Sequence, residues 1–403
     1  MPRPRRHFPV AVLSALLAAW LAIPVAPAGA AGPTGKTALT LTLSQREKGP
    51  SARNLSLSEK ESGPWDAASC RLEARLFADA AGGRLHEFSA LDAALVAGGI
   101  DSPDSLRRYQ QKAAALVDQL RSSATLGGTP RQQVEAVFEF LHERVLYGGY
   151  DLAYSDLRRV LDDGRFNCVS ATVLMNYLAG QLGLDCRGLE MPGHAMTRVR
   201  LADGALDIET TCPHWFSLRN DFRQSAIATK TIGAAAGGDR SKAREVSPVQ
   251  MAAMIYYNRG VDLLNEKRFA EAARANAKAV RLDPHNATAR GNLLATLNNW
   301  AIDLANSQHF AEAVDLLRRG LAMDRKFEPF AQNYVHVHRQ WVEQLCRQSR
   351  FEEASNVLSR AQAEMPGRDY LRRAQDEVRG RWAKAIAAAA KSRPVLEMPS
   401  GKE

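Results

Sequence analysis

The stretch FNCVSATVLMNYLAGQLGL, residues 166–184, decides the fold of this protein. Asn167 is a residue type that favours the N-cap of a helix, and the apolar residues that follow it recur at helical spacing. The stretch therefore predicts a helix in which Cys168 holds the first position. At that position the helix dipole and unpaired backbone N–H groups favour an anion, which makes Cys168 a candidate nucleophile.

After this helix the apolar pattern changes to a period of two residues, which indicates short strands. Asp203-Gly204 is typical of a two-residue hairpin turn between the last two strands. The segment from Trp65 to the cysteine helix is patterned as helices, so residues 65–232 predict an α+β domain. The predicted strands are RGLEM at 187–191, HAMTRVRL at 194–201 and ALDIETT at 205–211.

A thiol nucleophile needs a base and a group that orients the base. His194 opens the second predicted strand and is the candidate base. The predicted turn sets Arg200 opposite Asp207. It sets Arg198 opposite Glu209. Glu209 therefore lies nearer to His194 and is favoured as the orienting acid, while Asp207 remains the alternative if a bulge shifts the register.

The order of cysteine at a helix start, histidine on a strand and acid on the next strand resembles the transglutaminase-like superfamily. Residues 160–211 carry this resemblance, which implies a papain-like, cysteine-protease-like site. It implies Cys168 as nucleophile, His194 as general base and acid, and a carboxylate that orients the imidazole. Members of the superfamily usually end the third strand in Asp-Pro-Thr, and Glu209-Thr-Thr occupies that place.

The sequence departs from the family pattern because no tryptophan adjoins the cysteine. The resemblance implies an oxyanion hole that uses the backbone N–H of Cys168 and a second donor. Two candidates for that donor stay open: Asn167, or a side chain from YGGYD at residues 147–151.

The C-terminal part of the chain repeats at a spacing of 41 residues, as Phe269, Phe310 and Phe351 illustrate. It resembles the tetratricopeptide repeat family, whose usual period is about 34 residues. Each repeat is a pair of helices, and the extra residues per repeat predict that the first helix of each pair is longer than usual. Residues 249–392 are therefore predicted to form an all-α, tetratricopeptide-type array with a capping helix, and such arrays hold protein partners in a concave groove.

The ends of the chain and the region between the domains have their own compositions. Residues 1–30 have a basic start, an apolar run and a small-residue cleavage site, which predicts a signal peptide and export, to the periplasm in a Gram-negative bacterium. No other segment is apolar enough to span a membrane. Polar stretches predict a disordered linker at 31–64, a linker at 233–248 and a disordered tail at 393–403.

Charge and cysteine content narrow the classes of function. The net charge is +9, but basic residues form no dense run with aromatics, so we expect no nucleic-acid partner. Five cysteines without a CxxC spacing predict neither a metal site nor a disulfide scaffold. No phosphate-binding loop occurs, and we expect no cofactor.

The resemblance to the transglutaminase-like superfamily, together with the predicted signal peptide, implies an exported cysteine hydrolase that cleaves peptide or amide bonds through a thioester. Two alternatives stay open. An amine in place of water would make the protein a cross-linking acyltransferase. A catalytically inactive scaffold for protein binding would have an unactivated Cys168, or a disulfide from Cys168 to Cys186 or Cys212.

Overall fold

The computed structural model describes most of the chain from Trp65 onwards. The predicted signal peptide at 1–30, the predicted linker at 31–64 and the predicted tail at 393–403 lie outside the described residues. So does most of the predicted linker at 233–248. The described residues are 65, 67–123, 126–220, 243–367 and 369–391.

In the described part of the chain, four α-helices precede the strand pair that leads into the site, and they supply much of its core. Helix α2 is buried along nearly its whole length: seven of its eight residues are buried. The helices begin at side chains that accept a hydrogen bond from a backbone N–H of the first turn, and proline opens α3 and α4. Their bounds are Arg71–Asp79 (α1), Ala90–Ala97 (α2), Pro103–Arg121 (α3) and Pro130–Phe140 (α4), with a π-helical turn at Leu141–Val145.

The cysteine helix follows a short parallel pair of strands. Tyr150 pairs with Phe166 in this two-stranded sheet, so the YGGYD segment lies beside the residues that lead into the helix. Most of the helix is buried, in agreement with the apolar pattern of the sequence. The elements are β1 (Gly149–Tyr150), α5 (Leu157–Asp163), β2 (Arg165–Phe166) and α6 (Cys168–Gly180).

A four-stranded antiparallel sheet packs against α6, in the order β5-β4-β3-β6. The predicted linker at 233–248 is wrong at its C-terminal end, because β6 forms there and pairs with β3. The pairing brings three residues of a polar stretch to the sheet edge, and Val246 is buried. The bounds are Asp185–Met191 (β3), His194–Leu201 (β4), Gly204–Ile208 (β5) and Arg244–Val246 (β6), with helix α7 at Trp215–Asn220.

The predicted register between β4 and β5 is wrong by two residues. Arg198 pairs with Asp207, and Arg200 pairs with Ala205. The turn comprises residues 202–203, because Gly204 already pairs with Leu201 and takes a φ of 129° that favours glycine. A two-residue shift preserves the alternation of strand faces, so the face that carries Glu209 is unchanged.

The C-terminal part is helical, as the sequence predicts. The first six helices of this part form three consecutive pairs, and one further helix follows them. The first helix of each pair is longer, with 18, 20 and 20 residues against 14 in each second helix. The helices are α8 (Pro248–Asn265), α9 (Phe269–Leu282), α10 (Ala287–Asn306), α11 (Phe310–Met323), α12 (Glu328–Arg347), α13 (Phe351–Glu364) and α14 (Asp369–Lys391).

The three pairs share one backbone geometry at the 41-residue spacing. Lys267, Gln308 and Ser349 have φ of 58°, 66° and 59°. Each turn within a pair therefore has a residue in the left-handed conformation at the equivalent position. Where α8 crosses α9, a Cβ on Gly260 would lie 2.4 Å from Asn276 Oδ1, so a side chain there would not fit. Among the described residues no helix combines the length and hydropathy that crossing a bilayer requires.

Helix α8 packs directly on the α+β region through buried polar contacts. The hydroxyl of Tyr256 donates to Glu73 at 2.7 Å, and the Lys278 ammonium lies 2.7 Å from the same carboxylate. Burial raises the pKa of Glu73, but the hydrogen bonds from Lys278 and Tyr256 outweigh burial and lower the pKa. A paired carboxylate of this kind makes separation of the two regions costly.

Candidate active site

The N-terminus of α6 is closed by a reciprocal cap that fixes the position of Cys168. Asn167 Oδ1 accepts hydrogen bonds from the backbone N–H of Val169 at 2.9 Å and Ser170 at 3.0 Å. Ser170 Oγ accepts in turn from the backbone N–H of Asn167 at 3.0 Å. Cys168 is the first residue of the helix, as predicted, and its N–H has no acceptor within the helix. That N–H lies where the helix dipole favours negative charge.

The structure overturns Asn167 as a side-chain oxyanion donor. Its amide nitrogen donates to the carbonyl of Leu152 at 2.9 Å and to Ser155 Oγ at 2.6 Å. The side chain is 1% exposed, and its oxygen is held by the cap. Because both amide hydrogens are engaged, Asn167 has none left for a substrate oxygen.

His194 begins β4 directly after a tight turn in which Gly193 has a φ of 73°. Its Nε2 lies 2.5 Å from Glu209 Oε2, and its side chain is 11% exposed. Burial lowers the pKa of His194, but hydrogen bonds and charge interactions with Cys168 and Glu209 outweigh burial and raise the pKa to about 10. The imidazole is therefore held in its charged form at neutral pH.

Glu209 is buried and hydrogen-bonded at both carboxylate oxygens immediately after β5. Its Oε1 accepts from the backbone N–H of Thr211 at 3.0 Å and from the Thr211 hydroxyl at 2.6 Å. Burial raises the pKa of Glu209, but the hydrogen bond and charge of His194 lower it more, with help from Thr211. Next to it, Thr210 contacts Thr172 of α6 at 3.0 Å, which ties the acid-bearing segment to the cysteine helix.

Asp207, the alternative acid, points to a different partner. Arg198 makes a bidentate contact with it, at 2.6 Å from Nε and 2.9 Å from Nη2. The observed register sets Asp207 beside Arg198, so the arginine holds it away from His194. Glu209 is one alternate residue further along the same face, and diagonal neighbours on a sheet are within reach of long side chains.

Cys168 is 6% exposed, and the imidazole of His194 and the hydroxyl of Tyr150 are its polar neighbours. Interaction with the Cys168 side chain raises the pKa of both groups. Since Nε2 of His194 faces Glu209, the other ring nitrogen is the one left for the thiol. All five cysteines of the sequence are free, so Cys168 is bridged neither to Cys186 nor to Cys212.

Tyr150 is a site residue that the sequence indicates only as part of YGGYD. Its ring packs edge-on against Phe166 with centroids 5.8 Å apart, and Asp151 N–H donates to the Phe166 carbonyl at 3.0 Å. Tyr150 is 47% exposed, and partial burial of its hydroxyl, together with interactions with Cys168 and Glu209, raises its pKa. Its hydroxyl therefore keeps its proton and is a donor beside the sulfur.

His142 is a second imidazole close to the acid, which the sequence does not single out. Burial lowers its pKa to about 4, although a hydrogen bond to the backbone of Thr210 opposes the shift. Its ring packs against Phe138 in a tilted arrangement, with centroids 4.5 Å apart and an angle of 55° between the ring planes. His142 is neutral at ordinary pH, so it positions the segment around Glu209 without adding a charge.

Comparison with known proteins agrees with this geometry. The profile of the Transglutaminase-like superfamily matches residues 107–213, which include Tyr150, Cys168, His194 and Glu209. This part of the chain is similar to transglutaminase-like domains, which supports the superfamily. No curated protein and no solved structure matches the chain. The helical region from α8 onwards lies outside the match, and its resemblance to tetratricopeptide repeats stays a prediction.

Proposed function

We propose that the protein is an exported cysteine hydrolase that cleaves peptide or amide bonds through a thioester. The contact between His194 and Glu209, 2.5 Å long and beside the Cys168 thiol, is the observation that carries this proposal. A buried carboxylate holds the imidazole in one orientation, and an imidazolium beside a thiol stabilises the thiolate. The match to the transglutaminase-like superfamily supports the same chemistry.

In the proposed reaction the Cys168 thiolate attacks the carbonyl carbon of an amide. The His194 imidazolium gives its proton to the leaving nitrogen as the C–N bond breaks, which leaves a thioester on sulfur. Water then attacks the thioester while His194 takes its proton, and the C–S bond breaks to release the acid. The Cys168 N–H and the Tyr150 hydroxyl are the proposed donors to the oxyanion. An amine in the second step would give cross-linking instead.

One exposed apolar surface supports a polypeptide as substrate. Tyr147 and Leu152 flank Tyr150 in the segment beside Cys168 and are 67% and 51% exposed. Exposed apolar side chains grouped next to a nucleophile suit contact with the apolar side chains of a peptide. We further propose that the helical pairs from α8 onwards form a tetratricopeptide-type array that binds a protein partner.

The proposed export rests on the sequence of residues 1–30, whose basic, apolar and small-residue regions follow each other as in signal peptides. In a bacterium with two membranes the protein would act in the periplasm. Expression of the full chain with subcellular fractionation tests this part separately from the chemistry: recovery of the uncleaved chain in the cytoplasm would contradict it.

One observation favours a catalytically silent scaffold as a second candidate. Cys168 is 6% exposed, and the Tyr150 hydroxyl is one of its neighbours. A thiol that stays covered in this way would retain the geometry of the site without turnover, and the protein would act through its helical pairs.

A peptidyl electrophile separates the two candidates. We expect a peptide vinyl sulfone with apolar residues to modify Cys168 stoichiometrically, and Cys168→Ser to abolish the adduct. Cys186 is an internal control in the same digest, because burial raises its pKa to about 12. If Cys168 is labelled no faster than Cys186, the hydrolase proposal is wrong and the scaffold is favoured.

A further inference from the structure

Helix α8, the first helix of the C-terminal part, reaches the cap of the cysteine helix through one serine. Asn258 of α8 donates from its amide nitrogen to Ser155 Oγ at 3.0 Å. The same oxygen accepts from the amide nitrogen of Asn167 at 2.6 Å. Ser155 is 3% exposed, so these two bonds form in a dry environment where each contributes more than at the surface.

The Asn167 amide can take only one orientation in this chain of hydrogen bonds. Its oxygen is fixed by two backbone N–H donors, Val169 and Ser170, which cannot accept. Its nitrogen must therefore face the other way, towards the Leu152 carbonyl and Ser155. Loss of the Ser155 contact would loosen the amide that caps the helix and aims the Cys168 N–H.

The segment around Ser155 also meets the cap at a second point. Ser170 Oγ, which closes the cap, donates to the carbonyl of Tyr154 at 2.8 Å. This segment continues directly from the strand that carries Tyr150. Ser155 thus connects α8 to Asn167, the N-cap residue of α6. Ser155 also lies on the segment that follows β1, the strand that bears the candidate oxyanion donor Tyr150.

Three consecutive residues of α8 hydrogen-bond to three different parts of the α+β region. Tyr256 donates to Glu73, Tyr257 donates to Glu190 at 3.2 Å, and Asn258 donates to Ser155. Successive residues of a helix point in directions about 100° apart, so α8 is enclosed by the α+β region over much of its circumference. Of the three contacts, the one from Asn258 is the one that leads to the cap of α6.

We propose that Asn258 and Ser155 are positioning residues, through which helix α8 holds the Asn167 cap and thereby the Cys168 thiol in reactive geometry. The inference rests on the proposed function for its catalytic meaning. It makes α8, the first helix of the C-terminal part, a component of the candidate active site.

The test compares Asn258→Leu with Tyr257→Phe in the full chain. Each variant removes a hydrogen bond from α8 to the α+β region, but the Tyr257 hydroxyl donates to Glu190 on β3, whereas the Asn258 amide donates to Ser155. The first readout is amide hydrogen exchange at Val169 and Ser170, whose N–H groups are bound by Asn167. We expect Asn258→Leu to accelerate this exchange about fivefold, the usual effect of weakening an N-cap, and Tyr257→Phe to leave it unchanged.

The second readout is the rate of iodoacetamide modification at Cys168, which we expect to fall in Asn258→Leu and not in Tyr257→Phe. Unchanged exchange in Asn258→Leu, or equal acceleration in both variants, would overturn the inference. Ser155→Ala should accelerate the same exchange if it folds, and the comparison of the two α8 variants stands without it. Exchange requires no turnover, so a failed peptidyl labelling experiment would remove the proposed function without altering this result.

Discussion

The Oε2 atom of Glu209 lies 2.5 Å from Nε2 of His194, although fifteen residues and a hairpin separate the two along the chain. Glu209 lies just past the last paired residue of β5 and reaches His194 diagonally across the sheet. Asp207, on the same face, is held by Arg198 instead. The ion pair with Arg198 thus engages Asp207 and leaves Glu209 as the acid that contacts His194.

Glu209→Gln tests this choice of acid. A glutamine keeps the size of the side chain but removes the charge that stabilises the imidazolium, so peptide cleavage should slow by about 100-fold or more. Asp207→Asn is the matched control and should retain nearly full activity with at most a small loss of stability. A larger loss in Asp207→Asn than in Glu209→Gln would show that Asp207, and not Glu209, serves the reaction.

The pKa of His194 predicts how activity and stability depend on pH. Its folded pKa of about 10 lies above its ordinary value of 6.5, so the proton needed by the leaving amine is lost as pH rises through about 10. Peptide cleavage should fall there. The interaction of the charged imidazole with Glu209 and Cys168 contributes to the stability of the folded protein. This contribution is fully present below pH 6.5 and is lost as the pH rises through about 10.

The stability difference between wild type and His194→Ala, measured by chemical unfolding, should therefore be larger at about pH 6 than at about pH 11. Wild type and variant that lose stability in parallel over this range would show that His194 has no raised pKa in the folded protein.

Tyr150→Phe removes the hydroxyl beside the sulfur and keeps the ring that packs on Phe166. If the hydroxyl stabilises the oxyanion, kcat on a peptide should fall by about 10²- to 10³-fold. Tyr147→Phe, at an exposed position in the same segment, should have no effect on kcat. A faster enzyme after Tyr150→Phe would mean that the hydroxyl restrains Cys168 instead of serving the reaction.

Gly260→Ala tests the close crossing of α8 and α9. The added Cβ would meet the amide of Asn276, which is buried and bonded to Thr296, so we expect a loss of about 1–3 kcal/mol in the free energy of unfolding. Gly291→Ala in α10 meets open space and should stabilise by up to about 1 kcal/mol. Thermal unfolding of both variants checks the pair, and equal changes would contradict the packing.

Local features of this chain can be predicted from sequence because their causes are local. The cap at Asn167, the first-turn position of Cys168 and the longer first helices of the C-terminal pairs follow from residue types and spacing. The similarity of residues 107–213 to the transglutaminase-like superfamily likewise agrees with the order of three residues, each of which has a recognisable local setting on a helix or a strand.

Features that depend on distant partners are missed or placed wrongly by the sequence. It sets the turn between β4 and β5 one residue late, because the positive φ of Gly204 lies in the strand and not in the turn. It makes Asn167 a candidate oxyanion donor, because no local pattern reveals Leu152 and Ser155 as its partners. The bond from Asn258 to Ser155 spans 103 residues and has no local signature.

The central claim is that His194, held by Glu209, activates the Cys168 thiol beside it, and the rate of alkylation tests it most directly. At about pH 7 iodoacetamide should modify Cys168 at a high second-order rate in the wild type, because an imidazolium beside a thiol favours its nucleophilic form. In His194→Ala the rate should fall sharply. Equal rates in the two proteins would contradict the account.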